Sequence, residues 1–321
     1  MSERALCVIG LGLIGGSLLR AAQDAGWKVR GMARSDAAVT AVREAGYDAT
    51  SSIEDALADG DALVVLAVPL PAVVDVLPIV ARHAPQCRLT DVVGVKQPIA
   101  AAVARHAPQA RYVGGHPMAG TSASGWAAGS STLFTGAPWV VGSDDGADPE
   151  VWAQVTRLAL DCGAHVVPAG AADHDAAVAR VSHLPHLLAA VLASVGADGG
   201  ALAMALAAGS FTDGTRVAAS RPELVRAMCE GNRDALLTAV DDALGRLGAA
   251  RGSLASTGGL AATIQAGHGA RQVFDGRNSR RDTVHVELDT PGALAQLRDL
   301  GRQGARVVAL AGTCCQVELI S

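Results

Sequence analysis

Residues able to do chemistry are sparse in this chain and fall in four places. The first is Gly10-Leu11-Gly12-Leu13-Ile14-Gly15, which follows the apolar run from Ala5 and opens a helical pattern. In that setting each glycine has a separate job. Gly10 allows a tight turn, Gly12 lets backbone approach a pyrophosphate, and Gly15 lets helix pack closely on strand. The amides of Leu13 and Ile14 begin a helix whose positive end faces phosphate. The chemistry implied is hydride transfer on a bound nicotinamide dinucleotide, with Val68, at the end of a later strand, as a further lining residue.

Such loops are followed, about 20 residues on, by an acidic residue that holds the ribose hydroxyls of NAD. Here the second strand ends Gly31-Met32-Ala33-Arg34-Ser35, and Asp36 comes late, at the expected N-cap of the next helix. An arginine beside a small hydroxyl residue suits a 2′-phosphate, by charge-assisted hydrogen bonds. Ala33, Arg34 and Ser35 therefore lean the NAD(P)+ reading toward NADP+. The alternative is that Arg34 stacks over the adenine of NAD.

The second place is Gly114-Gly115-His116-Pro117-Met118-Ala119-Gly120-Thr121, which sets one imidazole on a glycine-rich turn after a strand. Substrates of open α/β sheets bind at that edge, and an imidazole there is a base suited to neutral pH. The third is Arg180-Val181-Ser182-His183-Leu184-Pro185-His186. The fourth is Phe211-Thr212-Asp213-Gly214-Thr215-Arg216, read as a polar break between helices, where Arg216 offers a fixed fork for a carboxylate.

The elements that must position these groups follow from periodicity. Strands are expected at Ala5 to Gly10, Lys28 to Ala33, Ala62 to Val68, Arg88 to Val93, Arg111 to Gly115 and Trp139 to Gly142. Helices are expected at Gly15 to Ala25, Asp36 to Ala45, Pro71 to His83, Lys96 to His106 and Pro149 to Cys162. That alternation predicts an α/β fold with an N-terminal doubly wound parallel sheet over residues 1–168. From about Ala171 the pattern turns to Ala/Leu/Val-rich helices, predicting an all-α domain over 169–276. Its all-round apolar helices point to burial by a second copy, hence a homodimer. Residues 277–321 read as linker and a short βαββ segment, the linker beginning near Gly267 and running to Arg281. The segment has strand at Val284 to Leu288, helix at Pro291 to Arg302, and strands at Arg306 to Leu310 and Gln316 to Ile320.

Composition narrows the function class. The 321 residues are 50% hydrophobic and 18% charged, and the formal charge of -5 offers no footprint for nucleic acid. The six cysteines form no C-x-x-C pair and no zinc spacing, so no metal is expected and reduced core thiols are. The most apolar stretch, Ala62 to Val80, is broken by Pro69, Pro71, Asp75 and Pro78, which reads as strand then helix rather than a membrane span. Glu3 and Arg4 stand directly before the first strand, where a signal peptide would need an apolar region. The expectation is a cytoplasmic protein with a small-molecule partner.

In their order along the chain these motifs carry a resemblance. Gly-Gly-His-Pro-Met-Ala-Gly-Thr, then Ser-His-Leu-Pro-His, then Asp-x-Thr-Arg, behind the glycine loop, resemble the prephenate/arogenate dehydrogenase family over residues 5 to about 265. The resemblance implies an N-terminal Rossmann domain, a helical dimerisation domain, and NAD(P)-dependent oxidative decarboxylation of prephenate or arogenate in tyrosine biosynthesis. It implies that His116 is the catalytic imidazole and that Arg216 binds the substrate carboxylate with His186 beside it. Ser182 and His183 complete that motif, Thr121 lies by the substrate, and Asp213 orients the loop bearing Arg216. Asp91-Val92-Val93-Gly94-Val95-Lys96 departs from the family, because Gly94 stands where a serine would contact the substrate hydroxyl and the histidine. Ser122 stands where an acidic residue is common. The turn Asp289-Thr290-Pro291-Gly292 resembles that of an ACT regulatory domain, which implies either an amino-acid effector site or a purely structural docking segment.

Two other readings compete. A β-hydroxyacid dehydrogenase or imine reductase of this architecture would want a catalytic lysine in the helical region, or none of the histidine motifs, yet the motifs are present and the only lysines are Lys28 and Lys96. Gly94 motivates the other, a non-catalytic NAD(P)-sensing or ligand-binding protein.

Overall fold

Side-chain alternation decides which face of the first sheet each residue serves. In β1 (Ala5–Ile9) all five residues are buried; Ala5, Cys7 and Ile9 join one apolar cluster, Leu6 and Val8 another. A strand covered on both faces needs such a continuous apolar run. The computed structural model describes residues 4–58, 60–121, 123–276 and 281–320. It falls into two units, one made of the residues up to His174 with Thr283–Leu319, the other running from Asp175 to Asp282.

In the first unit, β1, β2 (Lys28–Met32), β3 (Ala49–Thr50), β4 (Leu63–Leu66), β5 (Arg88–Asp91) and β6 (Arg111–Tyr112) form a parallel sheet in the order β3-β2-β1-β4-β5-β6. The connecting helices are α1 (Leu13–Asp24), α2 (Asp36–Glu44), the short α3 (Ile53–Ala56), α4 (Leu70–His83) and α5 (Gln97–His106). Leu18, Leu19 and Ala22 of α1 cover one face; Val73, Leu77 and Val80 of α4 with Ile99 of α5 cover the other. Strand order reverses between β1 and β4, so Gly10 and Val68 meet at the switch point where such sheets bind ligands.

The predicted alternation does not continue in that sheet. The run expected as one strand, Arg111 to Gly115, ends at Tyr112, and the chain re-enters extended structure as β7 (Gly115–Pro117) in a second, mixed sheet. This sheet has the order β10-β12-β11-β9-β8-β7, with β8 (Pro138–Gly142), β9 (His165–Ala169), β10 (Arg281–Glu287), β11 (Arg306–Ala311) and β12 (Cys314–Ile320). It carries α6 (Pro149–Asp161) and, in the C-terminal segment, α14 (Ala293–Arg302). The βαββ order of that segment is present, and its strands extend a sheet begun by β7 to β9. The period-2 signal of β11 and β12 identified strands but not the sheet they join.

The second unit is helical. Helix α7 (Ala171–Val178), whose first residues through His174 belong to the first unit, passes through a π turn (Ala179–His183) into α8 (Leu184–Asp198), followed by α9 (Gly200–Ala205) and α10 (Gly209–Thr215). A 3-10 turn (Arg216–Ala219) leads to α11 (Pro222–Gly231), α12 (Arg233–Thr257) and α13 (Ala261–Gly276). Two expectations are corrected here. Phe211 to Thr215 is helix rather than a polar break, because the segment packs on α8, with Phe211 against Gly196 and Gly214 against Leu192, and the Thr215 hydroxyl finds an acceptor in the Phe211 carbonyl at 2.6 Å. The supposed linker from Gly267 is helix as far as Gly276; residues 277–280 lie outside the described residues. This unit leaves large apolar side chains exposed in stripes, Leu188, Val191, Leu192 and Val195 on α8 and Leu237, Leu244, Leu247 and Leu254 on α12.

Candidate active site

The loop after β1 has the geometry that its glycines predict. Gly10 has φ +106°, and a Cβ there would lie 2.6 Å from the Ala67 carbonyl oxygen. At Gly15 a Cβ would lie 1.9 Å from the carbonyl oxygen of Gly10, so helix and strand touch through hydrogen alone. Gly12 is different: nothing lies within 4 Å of its would-be Cβ, and it is the N-cap of α1 with no side-chain cap. Open space beside an uncapped helix N-terminus, with Leu13 and Ile14 in its first turn, fits a pyrophosphate. Val68 packs against Gly10 across the switch point.

At the end of β2, Ala33 is buried and Arg34 exposed. Among the described residues Arg34 has no carboxylate partner. The N-cap of α2 is Ser35, whose hydroxyl oxygen accepts from the amide of Ala38 at 3.2 Å, and not Asp36, which stands in the first turn. A capping oxygen keeps its own hydrogen available as a donor.

His116 lies in strand β7, opposite Val140 of β8, and not in a turn. Its backbone is fixed by a buried ion pair. The Asp91 carboxylate is fully buried and accepts from the Val93 amide at 2.8 Å, from the Tyr112 hydroxyl at 2.7 Å and from the Lys96 ammonium. Lys96 also donates to the carbonyl of Gly115 at 2.7 Å, while the Gly115 amide faces Asp91 at 3.4 Å. Both backbone groups of the residue before His116 are thus held. Gly115 must be glycine, since a Cβ would lie 2.6 Å from the Asp91 carbonyl oxygen.

The half-buried imidazole of His116 has a partner that sequence reasoning missed. Its Nδ1 stands 2.8 Å from Nε2 of His174, a residue only 3% exposed in the first turn of α7. The rings meet edge to face, 5.1 Å between centroids. On the other side, a Cβ on Gly94 would lie 3.6 Å from Nε2 of His116, so a serine there would bring its hydroxyl to that nitrogen. If Nδ1 carries the hydrogen and donates to His174, Nε2 holds the lone pair of a base. Thr121 is exposed and its hydroxyl oxygen accepts from the Ala123 amide at 3.2 Å; Ser122 lies outside the described residues.

In the second unit the motif from Ser182 to His186 spans the π turn and the start of α8. His186 donates from Nδ1 to the Ser182 carbonyl at 2.8 Å, which leaves Nε2 as the nitrogen without a partner among the described residues. Ser182 acts on His186 through its carbonyl. His183 is 1% exposed, and its Nδ1 faces the carboxamide of Asn232 at 3.1 Å. Arg216 is exposed at the start of the 3-10 turn, and neither Asp213 nor any other described carboxylate pairs with it.

Other candidate chemistry is silent. None of the six cysteines is in a disulfide. Burial pushes the Cys87 thiol up to about 11 and that of Cys162 to about 12, so neither supplies a thiolate near neutral pH. Among the described residues no group of three or more His, Cys, Asp or Glu is placed to hold a metal.

Comparison with known proteins identifies the family. Residues 18–168 match the family model of the prephenate dehydrogenase nucleotide-binding domain, and residues 170–257 that of its dimerization domain. The chain is 31% identical over 247 residues to the prephenate dehydrogenase of Bacillus subtilis, covering 74% of this chain and 66% of that one. It is 32% identical over 275 residues to the cyclohexadienyl dehydrogenase of Zymomonas mobilis, covering 79% and 89%. A crystal structure of a candidate prephenate dehydrogenase from Corynebacterium glutamicum, 44% identical, superposes with a TM-score of 0.90 over 95% of this chain and 99% of that one. The chain belongs to the prephenate dehydrogenase family.

Proposed function

We propose that this protein catalyses the NAD(P)-dependent oxidative decarboxylation of prephenate or arogenate. The observation that carries the reading is the setting of His116, with one ring nitrogen held by a buried imidazole and the other beside the bare Cα of Gly94. The dinucleotide, held by Gly10, Gly12, Leu13, Ile14 and Gly15, supplies the hydride acceptor.

Nε2 of His116 takes the proton of the C4 hydroxyl as the C4–H bond gives up its hydride. His174 accepts from Nδ1–H and steadies the imidazolium that forms. Loss of the ring carboxylate as carbon dioxide leaves its bonding electrons in the ring, which becomes aromatic. His116 then returns its proton to the phenolate oxygen, so the imidazole ends as it began. Arg216 and Nε2 of His186 bind the carboxylate of the side chain, the arginine by charge-assisted hydrogen bonds. Gly94 supplies no hydroxyl to the reacting oxygen, and a water of that size can bridge. Arg34, without a carboxylate partner among the described residues, and Ser35 favour NADP+ over NAD+.

Purified protein assayed with two substrates and two cofactors, at the absorbance of reduced nicotinamide, tests the reading. Turnover with prephenate or arogenate is expected, faster with NADP+, and His116→Asn is expected to lose it while still binding cofactor. No turnover in any of the four combinations would sink the enzyme reading.

The apolar stripes of α8 and α12 favour a homodimer of this soluble, cytoplasmic enzyme, and sedimentation should give twice the chain mass. The helical stretch Ala171–Asp198 is long and apolar enough to cross a membrane by length and composition. It also carries Asp173, His174, Asp175, Arg180 and His183, groups that lipid disfavours. In the C-terminal segment, Asp289 to Ala295 line a cleft of about 550 Å³ with Asp144 and Glu150. That is where an amino-acid effector would bind, its ammonium toward the carboxylates.

A further inference from the structure

Asn232 stands between α11 and α12 as the N-cap residue of α12. Asparagine at that position normally turns its side chain onto an amide of its own helix. Here it makes no such bond. The side chain is turned inward, 4% exposed, and its nitrogen lies 2.8 Å from the carbonyl oxygen of Asp175 and 3.1 Å from Nδ1 of His183. A carbonyl oxygen can only accept, so the carboxamide is oriented with its NH2 toward both partners. Its second hydrogen then requires a lone pair on Nδ1 of His183, which places that histidine's hydrogen on Nε2.

We propose that Asn232 is a positioning residue for His186, acting through His183 and the π turn. His183 is the last residue of that turn, and π turns inside helices recur at functional sites. The turn presents the Ser182 carbonyl to Nδ1 of His186 at 2.8 Å, and that bond leaves Nε2 of His186 for a ligand. The thiol of Cys229, on α11, also lies 4.0 Å from the His183 carbonyl, so the α11–α12 junction grips both ends of the same residue. Releasing His183 loosens the turn, and with it the carbonyl that aims His186. The proposal rests on the reading of His186 as a substrate contact given above.

Two measurements on the full-length protein test it. Nitrogen-15 NMR of histidine-labelled wild type should show His183 in the Nε2–H form, a readout that needs no turnover. N232D should reverse it, because a carboxylate only accepts and would draw the hydrogen to Nδ1. In kinetics, N232A and N232D should raise the KM for the cyclohexadienyl substrate about tenfold, the equivalent of one lost hydrogen bond. The kcat and the cofactor Kd should stay within about twofold. In an H186A background the same substitutions should add little to KM, because the contact they disturb is already gone. The proposal is overturned if wild-type His183 carries its hydrogen on Nδ1, or if N232A raises KM equally with and without His186. Failure of every substrate would instead strike the functional reading and leave the NMR result standing.

Discussion

Replacing His174 by leucine would remove the acceptor that faces Nδ1 of His116 while keeping the site apolar and filled. A hydrogen bond between two neutral imidazoles contributes about 0.5–1.5 kcal/mol net. In the proposed mechanism His116 becomes an imidazolium, and a bond from a charged donor is worth about 1.5–3 kcal/mol. The difference, roughly 1–1.5 kcal/mol, is available only as the proton is taken up, so it acts on kcat. At about 1.4 kcal/mol per tenfold, kcat should fall about tenfold. His174 is 3% exposed, so water would not readily replace it, and an unpaired Nδ1–H would deepen the loss. His174→Gln offers an amide oxygen as acceptor and should keep part of the rate. The assay is saturating turnover with prephenate or arogenate, alongside fluorescence titration of the cofactor, whose affinity should not move. Wild-type kcat in His174→Leu, or equal loss in the leucine and glutamine variants, would refute the role of His174 as the acceptor for His116.

Gly94→Ser should raise kcat by up to about fivefold, since its hydroxyl would reach Nε2 of His116 and the reacting oxygen; a fall would mean the open space is itself used. Arg34→Ala should weaken NADP+ at least about tenfold and NAD+ little, by loss of a charge-assisted contact; equal losses measured by titration would return Arg34 to an adenine-stacking role. Asp148, the N-cap of α6, accepts from Arg111 at 2.6 Å and from the Glu150 amide at 2.9 Å. The Arg111 hydrogen bond holds its carboxyl below the usual carboxylate range. The stabilisation is therefore complete above the unfolded value and is lost as pH falls through the folded one. Asp148→Ala should cost about 1 kcal/mol in urea melts at pH 7, and the gap from wild type should close below about pH 4.

What was legible in the sequence was the set of groups with intrinsic chemistry. The glycines of the cofactor loop sit in a motif whose spacing states a geometry, whereas His116, His186 and Arg216 were singled out by motifs that carry the family resemblance. The parallel order of β1 to β6 was equally readable, because continuous apolar runs such as Ala5 to Ile9 have few other uses. What stayed hidden was the fold's use of ordinary residues across long separations. His174 lies 58 residues from His116 and Asn232 lies 49 from His183, and neither distance leaves a periodic trace. The helix of Gly209 to Thr215 was misread because glycine and threonine signal a break locally, whereas packing of Phe211 on Gly196 and of Gly214 on Leu192, both on α8, outweighs that signal. One clue to the buried framework was available. In a chain that otherwise uses arginine for its cations, one of its two lysines is Lys96, and it proves to be the buried partner of Asp91.

The hidden contact between His116 and His174 sharpens the meaning of Gly94. A serine at that position would orient the catalytic imidazole from the nitrogen that does the chemistry, competing for the lone pair it helps to align. In this chain the orientation comes from the far nitrogen, through His174, and from a strand whose preceding peptide is held by Asp91 and Lys96. An imidazole fixed in this way needs no hydroxyl at Nε2 to keep its tautomer. In the proposed mechanism the glycine would weaken contact with the substrate's oxygen without disarming the base, and Gly94→Ser and His174→Leu should then act independently on kcat. A strongly non-additive double variant would show instead that both groups serve the same orientation.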